Sequence, residues 1–152
     1  MTGGSIQATG IEESILTASR IMVNILAESL IIARVEHITV AQFRILDMIQ
    51  NLTNKPSEIA RMLAVSPPAI SAMLERLEER KLVKRSASTS DRRRIELELT
   101  GEGSALVTKV NANRKKVLDK VLRGMDEPSR YGLESSLLDF NRSFYALKGG
   151  PS

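Results

Sequence analysis

Residues 55–100 read KPSEIARMLAVSPPAISAMLERLEERKLVKRSASTSDRRRIELELT. Pro56 suits the first turn of a helix that continues through Ser57, Glu58, Ile59, Ala60, Met62 and Leu63. Ala64 and Val65 make a turn. Ser66 then caps a second helix, with Pro67 and Pro68 in its first turn, where their missing N–H groups cost little. Ile70, Met73, Leu74 and Leu77 give this helix an inward stripe, and Pro68, Ser71, Ala72, Glu75 and Arg76 lie on the opposite face. Leu82 and Val83 lead into a strand. Its partner alternates Ile95, Leu97 and Leu99 with Arg94, Glu96 and Glu98, the pattern of a half-buried strand. Between them SASTSDRR has the composition of an exposed loop tip. The order is helix, turn, helix, hairpin.

Upstream, residues 37–50 read HITVAQFRILDMIQ. Thr39 fits an N-cap with Gln42 as its capping-box partner, and Ile38 with Phe43 can form a hydrophobic staple. The apolar set Phe43, Ile45, Leu46 and Ile49 defines a helix ending near Gln50. Before it, a helical pattern runs from Ile11 to about Val35 without Gly or Pro. Its apolar positions, among them Ile15, Leu16, Met22, Ile25, Leu26 and Leu30, cover more than one face, so a second packing partner is expected. Residues 1–10 read as a disordered lead-in. Downstream, Thr100 caps a long helix reaching about Arg123, with Leu106, Val110, Val117, Leu118 and Val121 as its apolar positions. Asp126 and Pro128 open a last helix in which Leu133, Leu137, Phe140 and Phe144 recur at helical spacing. No internal repeat is visible.

The 152 residues fit one domain, 1–152, with a real core. Only five residues are aromatic, so the core is aliphatic and base-stacking platforms for single strands are not expected. Net charge is +4, yet residues 80–94 alone carry +6 and the rest of the chain −2. A slightly acidic body with one basic patch is what a phosphate-binding surface requires. Without cysteine the chain has no disulfide, thiolate metal site or thiol redox switch. The N-terminal MTGGSIQATG lacks a basic region and an apolar core and is no signal peptide. The apolar run IMVNILAESLIIA at 21–33 is short and interrupted by Asn24 and Glu28, so no membrane span and a cytoplasmic location are expected.

Two short helices and a tight turn occur in many all-α proteins. A version that reads duplex DNA needs small or polar side chains at the outer N-terminal positions of the second helix, where they reach base edges in the major groove. Ser66, Pro67, Pro68, Ser71 and Ala72 meet that need, and Arg76 follows on the same face. The loop tip is the sharper signal. Arg92, Arg93 and Arg94 follow Asp91 immediately before an alternating strand, and guanidinium groups on a projecting loop can enter a narrow minor groove. Asp91 is suited to pairing with a neighbouring arginine to fix the loop shape. His37, the single histidine, reads as a structural residue at a helix junction, and neither a catalytic group nor a metal-ligand set accompanies it. An enzyme is not expected, nor is any cofactor. A winged-helix module that contacts only proteins is the rival reading, which the basic tip opposes.

The segments SPPAISAMLERLEERKLVKR, DRR and LELTGEG resemble the winged helix-turn-helix of the MarR (multiple antibiotic resistance regulator) family, and the order of elements agrees over roughly residues 11–147. The chain departs from the family at Lys81, where a glycine usually ends the second helix. The resemblance implies a mainly α fold with a small β-hairpin: a winged helix-turn-helix lobe at 38–103, flanked by dimerisation helices at 11–37 and 104–147. It implies a homodimeric repressor that binds double-stranded DNA, with the second helix in the major groove and the wing in the minor groove. Asp91 and Arg93 match the wing's structural pair, and Arg92 the groove-inserting arginine. It also implies a small aromatic or phenolic effector between lobe and dimer helices, with Arg20 and His37 as candidate pocket residues.

Overall fold

The structure is a computed structural model and describes residues 10–88, 91 and 93–148. The expected lead-in at 1–10 falls almost entirely outside the described residues. Among those described, the elements run α1 (Ile11–Ile32), α2 (Val40–Asn51), α3 (Pro56–Leu63), α4 (Pro67–Glu79), β1 (Val83–Ala87), β2 (Ile95–Leu99), α5 (Gly101–Arg123) and α6 (Glu127–Lys148). This is a mainly helical winged helix-turn-helix. Helices α3 and α4 form the motif, and β1 and β2 pair antiparallel in register Val83↔Leu99 through Ala87↔Ile95 as the wing.

The helix starts follow from their caps. Thr39 accepts from the Gln42 N–H at 3.1 Å, while the Gln42 side chain accepts the Thr39 N–H at 3.0 Å, closing a capping box. Ile38 and Phe43 are both buried, as the staple requires. Ser66 Oγ accepts from Ala69 N–H, and Thr100 Oγ1 accepts from Gly103 N–H at 3.0 Å. At the start of α6, Asp126 accepts the Ser129 N–H at 2.8 Å, which holds its carboxyl below the usual aspartate range.

The helix ends are less ordinary. Three of them close in Schellman turns whose left-handed residue is not glycine. Arg34 (φ 52) ends α1, Ala64 (φ 54) ends α3 and Lys81 (φ 57) ends α4. In each the residue after the left-handed one donates back five positions: Val35 to Leu30, Val65 to Ala60 and Leu82 to Leu77. Lys81 therefore performs the job a glycine usually does, at a cost of about 1 kcal/mol. The buried contact of Leu77 and Leu82 secures it.

One core joins the winged lobe to α1 and α5. Phe43, Ile45 and Leu46 of α2, Ile59 of α3, Leu74 and Leu77 of α4, and Leu97 of β2 all belong to it. Leu26 and Leu30 of α1 and Val107 and Val110 of α5 close its top. Two expectations need correction. Ile95, expected on the inward face, is 50% exposed, because it sits at the tip end of β2. Val121, assigned to the apolar stripe of α5, is also exposed, since α5 by then has left the lobe; Val107 takes the buried position instead.

Helix α6 packs differently from the rest. From Glu127 to Leu147 only Tyr145 is even half-buried, while Leu137, Phe140 and Phe144 are open to solvent. Helix α1 also leaves Ile11, Ile15, Leu16 and Val23 uncovered. By length and mean hydropathy (1.7) α1 could cross a membrane, but its Ile25, Leu26 and Leu30 are buried and it packs along α5.

Candidate nucleic-acid interface

The two faces of α4 divide as its sequence predicts. Ile70, Leu74 and Leu77 are buried against the core, whereas Ser66, Pro67, Pro68, Ser71, Ala72 and Arg76 are all exposed. The two prolines occupy the first turn, so their absent N–H groups leave no carbonyl unmatched. Ser71 and Ala72 are both open to solvent. The surface is a shallow, small-residue patch with a hydroxyl at its centre and one guanidinium behind it.

Beside this patch stands the wing, and hydrogen bonds shape its tip. Asp91 Oδ1 accepts the Arg93 N–H at 3.0 Å, and its carbonyl accepts the Arg94 N–H at 2.9 Å. Ser88 N–H reaches back to the Arg94 carbonyl, and the buried Ser88 hydroxyl donates to Glu96 at 2.6 Å. Asp91 and Arg93 thus meet through the main chain of Arg93. The ion pair of Asp91 is made with Arg94, at 3.5 Å, three residues on. The reason is local: an aspartate that accepts the N–H two positions on closes a tight turn, and the third residue's side chain then comes back alongside it. Such an exposed pair contributes little stability, and its value lies in holding the turn. Arg93 itself is exposed. Arg92, the expected groove-inserting residue, lies outside the described residues.

The charge count over residues 80–94 overstates the cations on offer. Lys84 pairs with Glu98 at 3.0 Å across the hairpin, and Arg85 pairs with Glu78 of α4 at 2.9 Å. Arg80 turns its guanidinium to main-chain carbonyls. The two carboxylates lie just outside the counted window, where a running sum misses them. The cations of the hairpin strands are thereby neutralised, while Arg93 and the Asp91-paired Arg94 stay exposed at its tip.

The two expected effector residues have separate surroundings. Arg20 pairs with Glu13 on the exposed side of α1 at 3.3 Å, and His37 is exposed in the linker with φ 62. Neither lines the cavity of about 300 Å³ between α1, α2 and α5, whose walls include Met22, Leu26, Phe43, Arg44, Asp47 and Arg114. Its polar groups come instead from α2 and α5. Asn111 donates to Asp47 at 2.8 Å and Arg114 donates to Asn111 at 2.9 Å, linking the two helices along its edge. Periodicity alone could not pair positions 64 residues apart. Among the described residues no group of three or more His, Cys, Asp or Glu side chains converges as a metal site would.

A model of the MarR family matches residues 38–95, from just before α2 to the first residue of β2. The solved structure of RV1404 from Mycobacterium tuberculosis is 31% identical and superposes with a TM-score of 0.73, over 93% of this chain and 94% of that one. The chain belongs to the MarR family. Among curated relatives, the HTH-type transcriptional repressor MdtR of Bacillus subtilis (strain 168) is 41% identical over 73 residues. That match covers 48% of this chain and 47% of MdtR, so the chain spans about half the length of the curated relative it matches. The likeness in fold extends further: Streptococcus pneumoniae FabT, solved in complex with DNA, superposes with a TM-score of 0.72 over 91% of this chain and 99% of its own, at 22% identity.

Proposed function

We propose that this MarR-family chain is a transcriptional regulator that binds double-stranded DNA as a homodimer and acts as a repressor. The observation that carries the reading is the open, small-residue face at the start of α4, in one lobe with a wing that exposes Arg93 and Arg94 at its tip. In this reading Ser71 and Ala72 approach base edges in the major groove, Ser66, Pro67, Pro68 and Arg76 flank them, and Arg92, Arg93 and Arg94 serve the minor groove and phosphates. The repressor MdtR and the DNA-bound FabT support it as relatives in sequence and in fold.

The homodimer rests on uncovered apolar surface. Leu137, Phe140 and Phe144 of α6 with Ile15 and Leu16 of α1 make a surface too apolar to stand in water, and a second copy is the partner a closed symmetry supplies. The chain is then a single domain in which 38–103 contacts DNA while 11–37 and 104–147 dimerise. An effector would enter the cavity between α1, α2 and α5, where Arg44 and Arg114 suit a phenolate or carboxylate on an aromatic ring. By closing or opening the angle between α2 and α5, it would move the two copies of α4 off their spacing. A cytoplasmic location accords with a chromosomal partner.

Selection from a randomised duplex library by the purified protein tests the proposal. The retained sequences should share two inverted half-sites about one helical turn apart, since two α4 helices are presented by one dimer. Recovery of no common sequence would favour the protein-contact reading of the winged helix.

A further inference from the structure

The linker between α1 and α2 carries two left-handed residues that are not glycine, Arg34 at φ 52 and His37 at φ 62. The first closes the Schellman turn of α1. The second has no such helix-ending role, and a backbone of this kind persists only where its surroundings hold it. What holds it is on another helix. Arg80, the C-cap of α4, donates from Nη1 to the His37 carbonyl at 2.6 Å and from Nη2 to the Glu36 carbonyl at 2.7 Å. With His37 left-handed, two successive carbonyls face one guanidinium, and the fork of the arginine spans both.

We propose that Arg80 is a positioning residue for DNA recognition: its guanidinium clasps the α1–α2 linker, so the seating of α1 and the angle of α4 are set together. The proposal rests on the reading of α4 as the recognition helix. The residues on either side of the clasp explain why it can transmit. Lys81, next to Arg80, is the left-handed end of α4, and its carbonyl accepts the Thr100 hydroxyl at 2.7 Å, which caps α5. Glu36 and His37 lie between the end of α1 and the capping box at Thr39 that starts α2. Arg80 therefore ties the end of α4 to the linker where α1 ends and α2 begins, and the neighbouring Lys81 ties the same end to the start of α5. Three groups near it, Arg34, Glu36 and Lys109, line the same shallow groove and leave the two carbonyls to Arg80.

The proposal differs from a simple charge contribution, and Arg80→Lys separates the two. Lysine keeps the positive charge that phosphates attract but replaces the fork with a single point donor. Hydrogen exchange in the free protein should quicken at least tenfold in residues 34–39 and 76–82 in both Arg80→Ala and Arg80→Lys, with the amides of α2 beyond Phe43 unchanged. Affinity for a duplex selected by the wild-type protein should fall about tenfold or more in both variants, at nearly unchanged melting temperature. Wild-type affinity in Arg80→Lys would overturn the positioning role and leave only charge. Faster exchange in 34–39 without any change in 76–82 would overturn the coupling. Should the wild-type protein select no duplex, the DNA reading fails separately, and the coupling still stands or falls on the two exchange readouts.

Discussion

Gly103→Ala is expected to lower stability by about 3 kcal/mol or more, a fall of roughly 6 to 12 °C in melting temperature for a domain of this size. A Cβ at this position would stand 2.1 Å from the Leu82 carbonyl oxygen and 3.1 Å from its carbon. Both are main-chain atoms, so no rotamer change relieves the clash. The approach is close because three segments converge there. Thr100 N–H donates to the Leu82 carbonyl, its hydroxyl donates to the Lys81 carbonyl, and Gly103 N–H completes the cap on the same hydroxyl. Relief would require α5 to back away from the end of α4, opening the seam where the wing meets both helices. Gly101→Ala is the internal control. Nothing lies within 4 Å of a Cβ there, and stability should hold or rise by a few tenths of a kcal/mol. Thermal or urea unfolding of the two variants side by side reads the contrast.

Ala72→Glu should reduce duplex affinity about 100-fold while leaving the fold intact, because like charges brought together at an interface cost several kcal/mol. Ala72 is exposed on the outer face of α4, so a glutamate fits without displacing core atoms. Arg76 stands four residues on, and a Glu–Arg pair at that spacing slightly favours the helix. Melting temperature should therefore stay level or rise. The same pairing neutralises Arg76 and sets a carboxylate where the proposal puts base edges and phosphates. A binding titration paired with a melting curve separates loss of contact from loss of fold. Undiminished affinity would remove α4 from the interface.

How much of this was legible beforehand depended on range. The N-terminal caps at Thr39, Ser66 and Thr100 were readable because each is a contact within three residues, written in residue types that do little else. The C-terminal turns were legible only in place: Ala64 reads as a turn and Lys81 stands where a glycine is usual, but neither residue type, nor Arg34, signals a left-handed backbone. Strand alternation placed Leu97 correctly and Ile95 wrongly, because alternation says which side a residue faces and not where the covering helix stops. The outer face of α4 followed from helical spacing alone. The wing needed more: its tip was marked by composition, but the quenching of Lys84 and Arg85 by Glu98 and Glu78 depends on register and on helix-to-strand packing. Arg80 was counted among the basic cluster, whereas its guanidinium is spent on carbonyls 43 and 44 residues away. The expected effector residues, Arg20 and His37, are not among the walls of the cavity between α1, α2 and α5. Arg20 pairs with Glu13 on α1, and His37 is exposed at a left-handed position of the linker, neither of which its place along the chain announces.

In the proposed complex the α4 face enters the major groove of a duplex while the arginines of the wing tip meet its minor groove and phosphates. The most direct test of this complex is the affinity of the wild-type protein for its selected duplex as salt is raised from about 50 to 200 mM. Several phosphates neutralised by the two wings and helices release several counterions, so affinity should fall by about 1,000-fold over that range. An affinity that stays level across the same range would contradict the account.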